Sequence, residues 1–167
     1  NIYFNFLFDY VQKVNDVIKM TNTNHIVNFI LIDDEAMIPT RAYDSDIGYD
    51  LTATKVWKKI GEKTTVYDTG IAIQPPPGYY TEIIPRSSIS KSGYILSNSI
   101  GIIDPDYTGS LKIAVTRIDE SLPELTCPFT RFQLILRKAE HFSLQQVQFF
   151  KTTDRGSGGF GSTDNKV

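Results

Sequence analysis

Between residues 26 and 150 the apolar residues fall into short runs separated by turn-forming residues. The runs 26–32, 66–73, 80–84, 94–97, 111–116, 132–137 and 145–150 are rich in Ile, Val, Tyr and Phe, side chains that suit a pleated, half-buried surface. Leu111, Ile113 and Val115 alternate with Lys112 and Ala114, the period of two that puts one face of a strand on a core. Pro75-Pro76-Pro77-Gly78 and Asp104-Pro105-Asp106 are turn chemistry. Many short strands without helical periods between them predict an all-β fold, a β-sandwich or jelly-roll barrel.

The two ends read differently. Val11, Val14, Val17 and Ile18 recur at helical spacing, which predicts a short amphipathic helix over about residues 6–20. Thr21-Asn22-Thr23-Asn24 reads as a linker. The expected organisation is an N-terminal extension at 1–24, a β domain at 25–150 and a glycine-rich, flexible C-terminal lid at 151–167. The apolar start, Asn1 to Phe8, lacks a positive leading region and meets Asp9, so it reads neither as a signal peptide nor as a membrane span.

The 167 residues are 41% apolar and 22% charged, as expected of one soluble domain with a core of its own. A formal charge of −2 provides no global basic field for nucleic acid or membrane, so anion binding must be local. Cys127 is the only cysteine, which excludes an internal disulfide framework and favours a reducing compartment. His25 and His141 stand too far apart in sequence to suggest a zinc site.

The tail, Arg155 to Val167, holds four glycines, one aromatic, one arginine and hydroxyls. It cannot build a core, but it can lie on a ligand. Its N–H groups and Arg155 suit phosphates, and Phe160 suits a flat ring. Gly156 to Gly161 satisfies G-x-G-x-x-G and nearly satisfies a P-loop. Both readings fail on context, because no helix follows and the P-loop lysine is missing. A flexible Gly/Ser-rich terminus remains the plain alternative, and an RNA-binding Gly/Arg segment is weakened by its single arginine.

Four body segments carry further chemistry. Ser45-Asp-Ile-Gly-Tyr-Asp-Leu-Thr-Ala53 places Asp50 at the start of an apolar strand. Pro85-Arg86-Ser87-Ser88 offers a guanidinium and two hydroxyls for an anion. Asn98 to Gly109 is a hairpin-like run presenting Asp104 three residues before Tyr107. Arg131 to Leu136 puts Gln133 in a strand. Each also has a plain reading as turn, loop or sheet edge.

In this order and spacing these segments, with the tail, resemble the five motifs of the homotrimeric dUTPase family, from about residue 27 to 164. Asp68-Thr69-Gly70 through Tyr80 is similar to the family as well. Two departures stand out: the fourth motif here separates Arg131 from Gln133 by one residue where two are usual, and the second reads Arg-Ser-Ser in place of Arg-Ser-Gly.

The resemblance implies hydrolysis of dUTP to dUMP and pyrophosphate with Mg²⁺, which limits uracil in DNA and supplies dUMP for dTMP synthesis. It implies Asp104 as the group that orients water and takes its proton. Ser87 and Gln133 would donate around the α-phosphate, Arg86 and Arg155 would bind the outer phosphates, and Ser88 would also touch the substrate. Asn98, Gly101 and Ile103 would read uracil, Tyr107 would pack on deoxyribose, and Gly159, Phe160, Gly161 and Ser162 would close over the base. Asp50 would reach the metal through water. The implied assembly is a homotrimer with shared sites, without nucleic acid or membrane, inside the cell in cytoplasm or nucleus. Heavy use of Ile, Asn, Lys, Tyr and Phe hints at an AT-rich genome, a viral one included.

Two other readings stand beside this one. A dCTP deaminase shares the Arg-Ser-Ser and Gly-x-Ile-Asp-Pro features, but the position where it needs a glutamate is Ala114 here. A nucleotide-binding regulatory protein of the same fold would keep binding and lose turnover.

Overall fold

A computed structural model describes residues 25–160 of the chain. Its strands are β1 (Asn28–Leu31), β2 (Tyr49–Ala53), β3 (Lys55–Lys59), β4 (Thr64–Asp68), β5 (Ile71–Gln74), β6 (Tyr79–Pro85), β7 (Tyr94–Leu96), β8 (Gly101–Ile103), β9 (Lys112–Arg117) and β10 (Phe129–Lys138). A 3-10 turn at Ser87–Lys91 follows β6. Two four-stranded sheets, β2-β10-β6-β8 and β3-β4-β9-β7, and a small β1-β5 pair are all antiparallel. No described helix is long and apolar enough to cross a membrane.

The all-β expectation holds, and alternation explains the core. Leu111, Ile113 and Val115 are fully buried between partly exposed Lys112 and Ala114. They meet Leu51, Ile71, Ile83 and Phe132 in one apolar cluster drawn from both four-stranded sheets. Burying a large aliphatic or aromatic side chain is worth about 1.5–3 kcal/mol, so this cluster dominates the folding free energy. Tyr67 and Phe129 close it edge to face, with ring centroids 4.8 Å apart.

Several expectations need correction. The run 66–73 is not one strand: Gly70 turns the chain at φ +67° between β4 and β5. A Cβ at Gly70 would sit 2.7 Å from Asp33 Oδ1 and 2.8 Å from Ala36 Cβ, so both conformation and space select glycine. The run 145–150 is not a strand but an exposed arm after β10. A strand needs a partner to pair with, and among the described residues this arm pairs with none. The hairpin-like run is a crossover: β7 pairs with β9 in one sheet, and β8 with β6 in the other. β3, with an exposed apolar centre between lysines, shows too little alternation to be read beforehand. The helix expected at about 6–20, the linker at 21–24, and Gly161 and Ser162 lie outside the described residues.

Strand register decides where the functional side chains go. On β6, Thr81 and Ile83 face the core, which turns Tyr80, Glu82 and Ile84 to the opposite face. Gln133 on β10 stands between Asp50 on β2 and Ile84 on β6. Ile103 on β8 stands opposite Thr81, and Gly101 opposite Ile83.

Candidate active site

The outer face of the β2-β10-β6 strands forms a cleft of about 420 Å³ at the end where β6 stops. Asp50, Arg86, Ser87 and Gln133 line it, together with Arg137. Arg86 leaves β6 in extended conformation, and its amide donates to Arg131 O at 2.9 Å. Its guanidinium donates through Nη1 to Thr130 O at 3.2 Å and lies with Nε 3.0 Å from Asp50 Oδ1. The first and second motifs therefore meet through an ion pair. Both partners are partly exposed, which leaves remaining guanidinium N–H groups able to meet an anion.

Gln133 donates through Nε2 to Pro85 O at 3.2 Å. A Cβ at Gly48 would collide with the Gln133 amide, so this glycine is what lets Gln133 reach across the sheet. Ser87 is exposed at the head of the 3-10 turn, and its carbonyl accepts the Ser90 hydroxyl at 2.7 Å. Ser88 differs: its Oγ is buried without a hydrogen-bond partner, while its carbonyl accepts Arg131 Nη1 at 3.5 Å. A buried hydroxyl left unpaired is costly, and this one belongs to the residue that follows the cleft-lining Ser87.

The second group of expected residues lies elsewhere. Asn98 and Ser99 form the crossover, with Ser99 at φ +61° and Ile100 N donating to Asn98 O at 2.6 Å. Gly101 is buried against Ile83, where a Cβ would meet Ile83 Cβ at 3.2 Å. Ile103 is partly buried, and Asp104 and Tyr107 are exposed beyond it. Asp104 and Tyr107 share one turn, closed by Tyr107 N donating to Asp104 O at 3.0 Å. The Tyr107 phenol donates to Ser110 O at 2.9 Å.

Within these groups, the Asp104–Tyr107 turn and the Arg86–Ser87–Gln133 cleft stand at opposite ends of β6. Ile103 is opposite Thr81, so Asp104 continues toward the Tyr79 end of the antiparallel strand. Arg86 is five positions on from Thr81, about 17 Å along a strand at ~3.4 Å per residue. One chain does not bring Asp104 to Arg86, Ser87 and Gln133.

The tail is a third, separate element. Arg155 Nε donates to Gly158 O at 3.1 Å, and Gly158 N donates to Arg155 O at 3.1 Å. Gly156, at φ +53°, and Gly159 each have open space where a Cβ would stand. Phe160 is fully exposed at φ +51°. Before it, Phe142, Leu144, Phe149 and Phe150 are each more than four-fifths exposed.

Among the described residues no three His, Cys, Asp or Glu side chains gather as a metal site. The donor set still suits Mg²⁺, which commonly takes one or two carboxylates and completes its shell with water and substrate phosphates. Asp50 supplies one carboxylate in the cleft, and only its Oδ1 is engaged by Arg86. Sequence reasoning missed Arg137 in the cleft wall and the carbonyls of Thr130 and Arg131 as anchors for Arg86. Backbone acceptors leave no mark in residue type.

A family model described as dUTPase matches residues 34–164. A deoxyuridine 5'-triphosphate nucleotidohydrolase of Thermobifida fusca is 36% identical over 135 residues, covering 79% of this chain and 75% of the relative. One of Rickettsia bellii is 35% identical over 130 residues, covering 75% and 86%. A solved mutant of the Staphylococcus bacteriophage 80alpha dUTPase with dUpNHpp has a TM-score of 0.69 at 22% identity, over 84% of this chain and 99% of that one. A phage phi11 dUTPase mutant, described with a structural Mg(II) ion, reaches 0.62 at 19% identity, over 76% and 99%. These two structures share the fold. With sandwich, motif order and sequence similarity in agreement, the chain belongs to the dUTPase family.

Proposed function

We propose that the protein hydrolyses dUTP to dUMP and pyrophosphate at sites that copies of the chain complete for one another in a homotrimer. The observation that carries this reading is the separation of the Asp104–Tyr107 turn and the Arg86–Ser87–Gln133 cleft to opposite ends of β6. A second copy supplies what each end lacks. The exposed apolar side chains of the arm after β10 support the same reading, since contiguous exposed apolar surface marks an association site. The names of the relatives support the substrate.

In this mechanism Asp104 orients a water toward the α-phosphorus and takes its proton as the oxygen–phosphorus bond forms. The bond from the α-phosphorus to the bridging oxygen breaks, and that electron pair leaves with pyrophosphate. Ser87 and Gln133 donate to α-phosphate oxygens; Arg86 and Arg155 hold the outer phosphates. Their contacts accelerate the reaction to the extent that they strengthen as charge moves onto the leaving group. Asp50 would help hold Mg²⁺, which when bound would supply screening of the triphosphate charge.

Backbone groups from Asn98 to Ile103 read the uracil edge, because cytosine would leave those groups unpaired. Tyr107 covers the deoxyribose face. Gly159, Phe160, Gly161 and Ser162 close over the base, with Phe160 stacked on the ring. Ordering this glycine-rich stretch costs conformational entropy, so closure follows substrate binding.

The test is pyrophosphate release from dUTP, UTP and the four common dNTPs with Mg²⁺, alongside the mass of the protein in solution. Selective release from dUTP by a trimer is expected. Binding of dUTP without release would leave a regulatory nucleotide-binding protein, and full activity of a monomer would end the shared-site reading.

A further inference from the structure

The turn that carries Tyr107 is fastened to a part of the fold that takes no direct part in the reaction. Asp68 ends β4 with its side chain almost wholly buried. Its Oδ1 accepts the Gly70 amide at 3.0 Å and the Ser110 hydroxyl, and its Oδ2 lies 3.5 Å from Lys112 Nζ. The carbonyl of Ser110 accepts the Tyr107 phenol at 2.9 Å and Lys112 Nζ at 3.4 Å. Leu111, the next residue, donates to Ile71 O at 2.7 Å and accepts from Thr69 Oγ1 at 2.9 Å. Both ends of this link are therefore tied to the turn between β4 and β5.

The Tyr107 ring has little room on its other side. A Cβ on Gly109 would stand 2.6 Å from the phenol oxygen and 2.8 Å from Cζ, so the ring lies against bare backbone. Burial alone would raise the Asp68 carboxyl, but the Ser110 hydroxyl, the Gly70 amide and Lys112 outweigh it and hold the group below the usual carboxylate range. It stays ionised at neutral pH and keeps both hydrogen bonds.

We infer that Asp68, acting through Ser110, is a positioning residue that locks the Tyr107 ring and thereby sets how sharply the site rejects a ribonucleotide. The inference rests on the assignment of Tyr107 to the sugar face. A wall that merely fills space rejects an added hydroxyl by only ~100-fold, and a wall free to swing rejects it less. Holding the ring at its phenol, through a carbonyl whose own residue is pinned by a buried carboxylate, removes that freedom.

Asp68→Ala is expected to lower the ratio of kcat/KM for dUTP over UTP by about tenfold, and to broaden the Tyr107 ring resonances, identified as those missing from Tyr107→Phe. Asp68→Asn keeps an oxygen that accepts the same two hydrogen bonds, so it should restore most of both. A purely structural Asp68 would lower the melting temperature and slow both substrates in proportion, with ratio and resonances unmoved; that result overturns the inference. Ser110→Ala cuts the link while sparing the Asp68–Gly70 turn, and should show the same loss of ratio and the same broadening even if Asp68→Ala fails to fold. Equal wild-type rates on dUTP and UTP would instead remove the sugar assignment of Tyr107, an outcome the ring resonances distinguish from failure of the lock.

Discussion

Asp104 is exposed, one residue past the end of β8, and its backbone carbonyl holds the turn that carries Tyr107. Its backbone thus serves the geometry of that turn. Asp104→Asn keeps the turn and removes the proposed base, so pyrophosphate release should fall by roughly a thousandfold, with dUTP affinity by calorimetry changed less than threefold. Equal loss of both would move Asp104 from catalysis to binding. The family motifs holding Asp104, Tyr107, Arg86, Ser87 and Gln133 were legible through the resemblance their order and spacing carry. The supports were not: Gly48 matters only because Gln133 crosses over it, and Ser110 only because Asp68 lies 42 positions away in the chain. Contacts at such separation have no local signature.

At the scale of elements, the strands that alternate cleanly were readable and those that serve as joints were not. Residues 111–115, leading into β9, show its period, whereas the break between β4 and β5 hides inside a continuous apolar run. β6 carries the most heavily used register, and it contains a buried carboxylate. Glu82 accepts the Tyr80 phenol at 2.8 Å and Arg137 Nε at 3.1 Å. Burial alone would raise its carboxyl, but these two donors prevail and hold it low. A carboxyl depressed on folding adds stability above its unfolded pKa of about 4.3, and that stability fades as pH falls through the folded value. Glu82→Gln should therefore destabilise the protein at pH 7 by about 1–2 kcal/mol, a modest figure because Arg137 is half exposed. Melting curves of variant and wild type should converge as the pH is lowered toward 3.

At the scale of the molecule, the body of the chain is finished at Lys138, and the arm and tail extend beyond it. Among the described residues, 155–160 bond only to one another and to Thr153. Removing residues 155–167 should leave the melting temperature and the number of chains per assembly unchanged, yet cut turnover of dUTP at least a hundredfold through loss of the proposed Arg155 contact and Phe160 cover. Normal rates in the truncated protein would show that the tail is no lid.

The distance along β6 between Asp104 and Arg86 has a genetic consequence. Asp104→Asn and Arg86→Ala are each expected to be dead alone, but when the two are unfolded together and refolded, mixed trimers regain sites that take an intact acid from one parent and an intact guanidinium from the other. With random assortment of equal amounts, roughly one site in four is whole. Two null alleles in one cell would then rescue each other.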